Sequence, residues 1–257
     1  MLHAQRKRHG FTLIEISIIL TIIGLVISGM FVGKTLMETA AIRTQIKQLE
    51  KLSLAHNAFK LKYRAVAGDI CTSASDMGLE CGNPAGTRDN GYIEDMLGMG
   101  NIHNSPYEPL YFFGHLIDAG LLEKNMVCEE IIAGYPTYGH YALTLNPSGS
   151  MLAFTYESSI WLFLGVNQGL IPAGCDFNAV GTISTAGILT PAQSEDIDIK
   201  LDDGIPSKGA LRATMLTGAS NAEGAVDNVA GECVVDATSL EYNTSNTGKT
   251  CKLMYKL

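Results

Sequence analysis

Gly10-Phe11-Thr12-Leu13-Ile14-Glu15 decides how this chain is read. It ends a short basic leader and opens an apolar run, and no residue from Ile16 to Gly33 is charged. One acid therefore sits near the start of an otherwise greasy helix. A carboxylate in lipid is costly unless it finds a partner, so a sequence that keeps one there has a use for it.

Working outward, Phe11–Gly33 is long enough to cross a bilayer as a helix at about 1.5 Å per residue. Arg6, Lys7 and Arg8, with His3 and His9, precede it. Basic flanks stay on the cytoplasmic side. An ordinary secretory signal has an apolar core of about 7–15 residues and a small-residue cleavage site. The run here is longer and carries an acid at its start. A simple single-pass anchor explains the length but not Glu15. Gly24, Gly29 and Gly33 lie in the run with Ser17, Thr21 and Ser28. Small residues let membrane helices approach closely. Ordinary membrane helices also carry glycine, so both readings stand.

The pattern Gly-Phe-Thr-Leu-Ile-Glu after a short basic leader resembles the N-terminus of type IV prepilins and type II secretion pseudopilins. The resemblance implies cleavage by a membrane peptidase between Gly10 and Phe11 and N-methylation of Phe11. It also implies that Glu15, the fifth mature residue, pairs with the N-terminal amine of a neighbouring subunit. It covers the first 55 or so residues closely. Three head segments resemble poorly characterised prepilin-like proteins: Tyr63-x-x-x-Ala67-Gly68-Asp69, Gly114-His115-Leu116-x-x-Ala119-Gly120-Leu121 and Ile197-Asp198-x-Lys200-x-Asp202-Asp203-Gly204-x-Pro206. The first departs from the expected pattern, which has proline where Ala67 stands.

The chain has 257 residues and a formal charge of −8. Loss of residues 1–10 leaves 15 basic and 26 acidic residues, about −11. An acidic product argues against generic nucleic-acid binding. Six cysteines, Cys71, Cys81, Cys128, Cys175, Cys233 and Cys251, all fall beyond the apolar run. An even count in an exported domain reads as three disulfides, with 15 possible connectivities. Short loops close easily, which favours Cys71–Cys81, Cys128–Cys175 and Cys233–Cys251. The last pair would staple the final hairpin, as the C-terminal disulfide loop does in many type IV pilins. Zinc is disfavoured because no Cys-x-x-Cys pair is present.

The helix is expected to continue past the membrane, from Phe11 to about Tyr63, roughly 80 Å in all. Ile42, Ile46, Leu49, Leu52, Phe59 and Tyr63 form one apolar stripe, with Arg43, Lys47, Lys51, Lys60, Lys62 and Arg64 largely off it. The basic face reads as solvated, or as meeting acidic neighbours in a filament. Gly68 is the expected stop. Cys71 to about Pro109 reads as a long loop with short helical pieces such as Tyr92–Leu97. Leu110–Leu122 reads as an amphipathic helix, with His115 a packing or surface residue.

Strands are expected at Tyr141–Leu145 and Met151–Tyr156, as a hairpin, and at Ser159–Val166. Thr190-Pro191-Ala192-Gln193 should start a helix that runs to about Asp203 and stops at Gly204. Ala210–Leu216, Glu232–Asp236 and Lys252–Tyr255 read as further strands. Asp196, Asp198, Asp202 and Asp203 gather at the helix-to-turn junction. Solvation and capping explain them. The alternative is a calcium site on Asp198, Asp202 and Asp203, since major pseudopilins carry calcium in the C-terminal part of the head. Lys200, however, stands where a calcium loop needs a ligand.

The expected fold is α+β, a long N-terminal helix packed on a disulfide-stapled head with an antiparallel β-sheet. The expected parts are a leader (1–10), a transmembrane or filament-core helix (11–33), its amphipathic continuation (34–66) and an exported head (67–257). Thr247-Gly248-Lys249-Thr250 looks like the end of a P-loop but has Asn243 in place of the first glycine. Neither His-Glu-x-x-His nor Gly-x-Ser-x-Gly occurs. No enzyme and no cofactor are expected. The resemblance implies a structural subunit, major or minor, of a type IV pilus-like filament. The alternatives are a secretion pseudopilin working as a periplasmic piston and, further off, a tip adhesin or DNA-uptake subunit. The implied partners are related pilin subunits, the prepilin peptidase and an inner-membrane assembly platform. The implied location is the bacterial inner membrane, N-terminus cytoplasmic, and then a periplasmic or extracellular filament.

Overall fold

The structure is a computed structural model. It describes residues 12–70, 89–93, 108–123, 127–132, 135–142, 149–156, 158–166, 187–213, 231–236 and 240–257. Cys71, Cys81 and Cys175 lie outside what is described, as do Gly10, Phe11 and the side chain of Cys128, so the expected pairs Cys71–Cys81 and Cys128–Cys175 fall outside it too.

Helix α1 spans Leu13–Tyr63. The chain divides into two units, residues 1–41 and 42–257, and α1 passes from one to the other. In the second unit, α1 buries Ile42, Ile46, Leu49, Leu52 and Phe59 of the expected stripe, and Tyr63, its last member, is partly buried. Recurrence at three- and four-residue steps puts them on one side of a 3.6-residue helix. Gln45 and Gln48 are buried beside them, and the Gln45 amide donates to the Gln48 carbonyl oxygen at 2.9 Å. The helix stops at Tyr63 because Arg64 turns left-handed (φ +53°), its N–H still bonded to the Lys60 carbonyl. Gly68 (φ +93°) belongs to the next turn rather than to the helix end.

Helix α2 spans Glu108–Asp118, with Gly120 left-handed just beyond it. It buries Phe112, Phe113 and Leu116. His115 is fully buried, and its Nδ1 accepts the Gly68 N–H at 2.9 Å, so it is a packing residue that ties α2 to the turn after α1. Two of the segments singled out by resemblance thus meet at one joint. Asp69 serves the same region, accepting the N–H groups of Asn90 and Gly91 at 3.2 and 2.7 Å. His56 is buried against Phe112, ring centroids 5.8 Å apart.

Among the described residues, six strands form one antiparallel sheet: β1 (Val127–Ile132), β2 (Tyr135–Ala142), β3 (Gly149–Tyr156), β4 (Ser159–Val166), β5 (Leu211–Arg212) and β6 (Leu253–Lys256). Their order is β1-β2-β3-β4-β6-β5. The β3–β4 pair is in full register from Gly149 opposite Val166 to Tyr156 opposite Ser159, and Ser158 (φ +57°) makes the tight turn. Alternation sends Ile160, Leu162 and Leu164 of β4 into the core shared with α1 and α2. Trp161, Phe163 and Met254 point to the other face and are buried as well. The Arg212 guanidinium lies 4.9 Å from the Trp161 ring centroid.

Helix α3 spans Pro191–Leu201 and has the full capping box anticipated: Thr190 Oγ1 accepts the Gln193 N–H, and Gln193 Oε1 accepts the Thr190 N–H. It ends at Leu201, and Gly204 turns left-handed three residues on. The Cys233–Cys251 disulfide is present, Cα atoms 4.9 Å apart.

Several expected elements differ. Glu232–Asp236 is not a strand: Gly231 is left-handed (φ +84°), the chain turns, and only Val234 bridges, to Tyr242. Strand β5 is two residues long, where Ala210–Leu216 was expected, and residues 214–216 lie outside the description. Strand β2 begins at Tyr135, ahead of the expected Tyr141, and pairs with a strand, β1, that the sequence did not suggest. Tyr92 and Ile93 are not helical, and 94–97 lie outside the description. A long apolar N-terminal helix, an antiparallel sheet and a disulfide together fit an α+β pilin-like fold.

Candidate processing and assembly site

The first described residues form a reciprocal cap. Glu15 Oε2 accepts from both the backbone N–H and the hydroxyl of Thr12, each at 2.8 Å, and the Glu15 N–H reaches Thr12 Oγ1 at 3.3 Å. This is the Thr-x-x-Glu capping box, which satisfies two of the four N–H groups that every helix start leaves unpaired. The pattern was legible as Thr12-Leu13-Ile14-Glu15, yet only the acid was singled out from sequence. Thr12 is the residue that holds it. Both of its bonds fall on Oε2, and neither uses Oε1.

Downstream of the cap, α1 is long and apolar enough to cross a membrane, and none of its most apolar window is buried within the chain. Leu13 is 89 % exposed, and Ile18, Ile22 and Leu25 are more than half exposed. Two hydroxyls in this run bond back to the helix's own carbonyls: Ser17 to Ile14 at 2.9 Å and Thr21 to Ser17 at 2.7 Å. They bring no unsatisfied donor into lipid. A Cβ built on Gly24, Gly29 or Gly33 would meet nothing within 4 Å. The chain's own packing therefore does not require glycine at those positions.

The second candidate is the acid cluster after α3. Oxygens of Asp198, Asp202 and Asp203 lie within 4.8 Å of one another. Asp196 does not join them; it pairs with Lys200 at 3.5 Å, one helical turn away. Each clustered acid already holds the fold. Asp198 Oδ2 accepts the Tyr242 hydroxyl at 2.8 Å, Asp203 Oδ1 accepts the Ile205 N–H at 2.8 Å, and Asp202 Oδ2 accepts the N–H groups of Ala210 and Leu211. Asp198 is buried and its Oδ1 has no hydrogen-bond partner among the described residues. Burial pushes its carboxyl up to about 6, opposed by the Tyr242 hydrogen bond and reinforced by the neighbouring carboxylates. Tyr242, missed in the sequence, has its own phenol pushed up by burial and by Asp198. Calcium takes six to eight oxygens. Three carboxylates supply part of such a set; here Asp202 and Asp203 cap the loop from Asp202 to Leu211, and Asp198 holds Tyr242.

The family described as the prokaryotic N-terminal methylation motif matches residues 5–31, a span that contains Gly10, Phe11, Thr12 and Glu15. No match was found among curated proteins or among solved structures. At its N-terminus the chain carries the type IV prepilin and pseudopilin signature.

Proposed function

We propose that this protein is a structural subunit, major or minor, of a type IV pilus-like filament, cut after Gly10 and N-methylated at Phe11. The coarser statement, a type IV pilin- or pseudopilin-like protein that a prepilin peptidase processes, is what the methylation motif supports directly. The observation that supports an assembling subunit is the exposed apolar half of α1 with a capped carboxylate at its tip. Such a surface needs lipid before assembly and other helices afterwards. Before assembly the helix anchors the precursor in the membrane. On assembly, Glu15 attracts the Phe11 amine of a neighbour, because that pairing neutralises two charges in an apolar core. Thr12 holds the carboxylate through Oε2, and in this reading Oε1 takes the incoming amine. The role needs neither catalytic residues nor a resident cofactor.

Quantitative mass spectrometry of sheared surface filaments against the cell envelope tests this. The expected result is a peptide that begins at N-methyl-Phe11 in the sheared fraction, abundant for a major subunit and sparse beside another pilin for a minor one. Mature protein confined to the envelope would favour a secretion pseudopilin, and an intact leader there would overturn both readings.

A further inference from the structure

Charge is divided unevenly along the mature chain. Residues 34–64 hold seven Lys and Arg against two Glu, whereas residues 65–257 hold eight Lys and Arg against 23 Asp and Glu. Within the second unit, the face of α1 turned away from the core carries two exposed leucines, Leu54 (71 %) and Leu61 (83 %). They are seven residues apart, hence on one side two turns apart. Exposed Lys60, Lys62 and Arg64 surround the second of them. Helix α3 offers the opposite combination. Ile199 is 60 % exposed on it, among exposed Asp196, Asp202 and Asp203, with exposed Lys200 paired to Asp196 at 3.5 Å. The Tyr242–Asp198 hydrogen bond anchors that helix to the disulfide-closed segment.

We propose that the cationic, leucine-bearing outer face of α1 around Leu61 docks on the acidic, isoleucine-bearing face of α3 in a second copy of this chain. The proposal rests on the reading of the protein as an assembling subunit. Two like faces repel and two unlike faces attract, which selects a heterologous contact over a two-fold dimer. A heterologous contact leaves one α1 face and one α3 face open at each end, so it propagates. Apolar contact between leucine and isoleucine supplies affinity, while the charges set register and encounter rate. An anionic lipid surface is the other chemistry the cations fit, but it gives the matching acidic face no role.

The test uses the full chain in cells with its peptidase, in two differently tagged copies. One copy carries a photoreactive amino acid in place of Leu61. The expected crosslink joins position 61 of one copy to a peptide containing residues 196–203 of the other. K60E/K62E and D196K/D203K should each reduce its yield about ten-fold, K60Q/K62Q should reduce it less, and the two reversals combined should restore it to within about two-fold. Crosslinks to lipid, to another protein or elsewhere on the head would overturn the proposal, as would a combined variant no better than either reversal alone. The mature N-terminus and sheared filaments are scored in the same cells. Filaments that persist while the crosslink is absent sink only this contact, whereas a retained leader sinks the subunit reading itself.

Discussion

Leu13, Ile14 and Leu25 at the start of α1 are between 66 and 89 % exposed, while Leu49, Leu52 and Phe59, further along the same helix, are wholly buried. The two stretches share one backbone conformation and similar residue types. What differs is their neighbours. From Ile42 on, the chain supplies its own core, in which α1, α2, α3 and the sheet contribute side chains to one cluster. Before Ile42 the described residues show local satisfaction, a capping box at Thr12 and Glu15 and hydroxyls folded back on carbonyls. The first region is incomplete by itself and the second is self-sufficient. A mutation in the first should therefore register in assembly, and one in the second should register in stability.

The strongest test of that division is Glu15→Ala. It removes the acceptor for a neighbour's amine and half of the cap. Sheared filament should fall more than ten-fold, while cleavage after Gly10, read by mass spectrometry, and unfolding of the head stay as they were. Losing the cap alone costs only about 1 kcal/mol of helix stability. Normal filament levels would break the comparison at its first region. In the second region, Cys233→Ser with Cys251→Ser opens a link between residues 18 apart. Such a loop contributes about 3 kcal/mol. Urea unfolding of the full chain in detergent should show that loss through Trp161, the single tryptophan, which is fully buried. Processing should not change.

The two regions also differed in how far the sequence revealed them. The N-terminal half was legible because its rules are local: an uninterrupted apolar run, one acid and a six-residue pattern. In the head, elements with local punctuation were legible too. Thr190-Pro191-x-Gln193 specifies a helix start without help from the rest of the fold, and Ser159–Val166 is dense in β-formers. Strand β1 was not legible because Glu129 and Glu130 interrupt its apolar pattern, and its pairing to β2 is a tertiary matter. Glu232–Asp236 misled because Cys233 and Val234 look like a strand, whereas left-handed Gly231 and the disulfide make it a turn. The acid cluster was seen as residues but not as geometry. Nothing local links Asp198 to Tyr242, which is 44 positions away.

Two buried titratable groups give the head a pH signature of its own. His56 is held down to about 4 by burial and by nearby Lys60, so its neutral form is favoured in the fold. The stability it contributes is present above pH 6.5 and is lost as pH falls toward 4. Asp198 is pushed up to about 6, mainly by burial. Its contribution is present below pH 3.8 and is lost as pH rises through 6. Over pH 4–6 the two slopes oppose each other, and the combined dependence should be shallow. Asp198→Asn removes one opposing slope and leaves that of buried Asp69, whose carboxyl burial also raises, so stability should then fall more steeply from pH 6.5 to 4, by at most about 3 kcal/mol. Urea midpoints read through Trp161 across that range measure it, and an unchanged slope would refute the assignment.

The smallest effect sharpens the comparison most, because it sets one residue type against itself. Gly209 is left-handed (φ +75°), and a Cβ there would run into the Asp202 carboxylate that caps the same loop. Gly209→Ala should cost about 2 kcal/mol from the strained φ and the displaced cap. Gly29 is helical, and a Cβ there meets nothing within 4 Å. Gly29→Ala should leave the urea midpoint of the head where it was, and by propensity alone it favours the helix. Any defect it causes should appear only as lost filament, since the partner that comes close to Gly29 would be another helix, in lipid or in an assembly. If Gly29→Ala shifted the head's unfolding as Gly209→Ala does, the boundary at Ile42 would not separate two regimes.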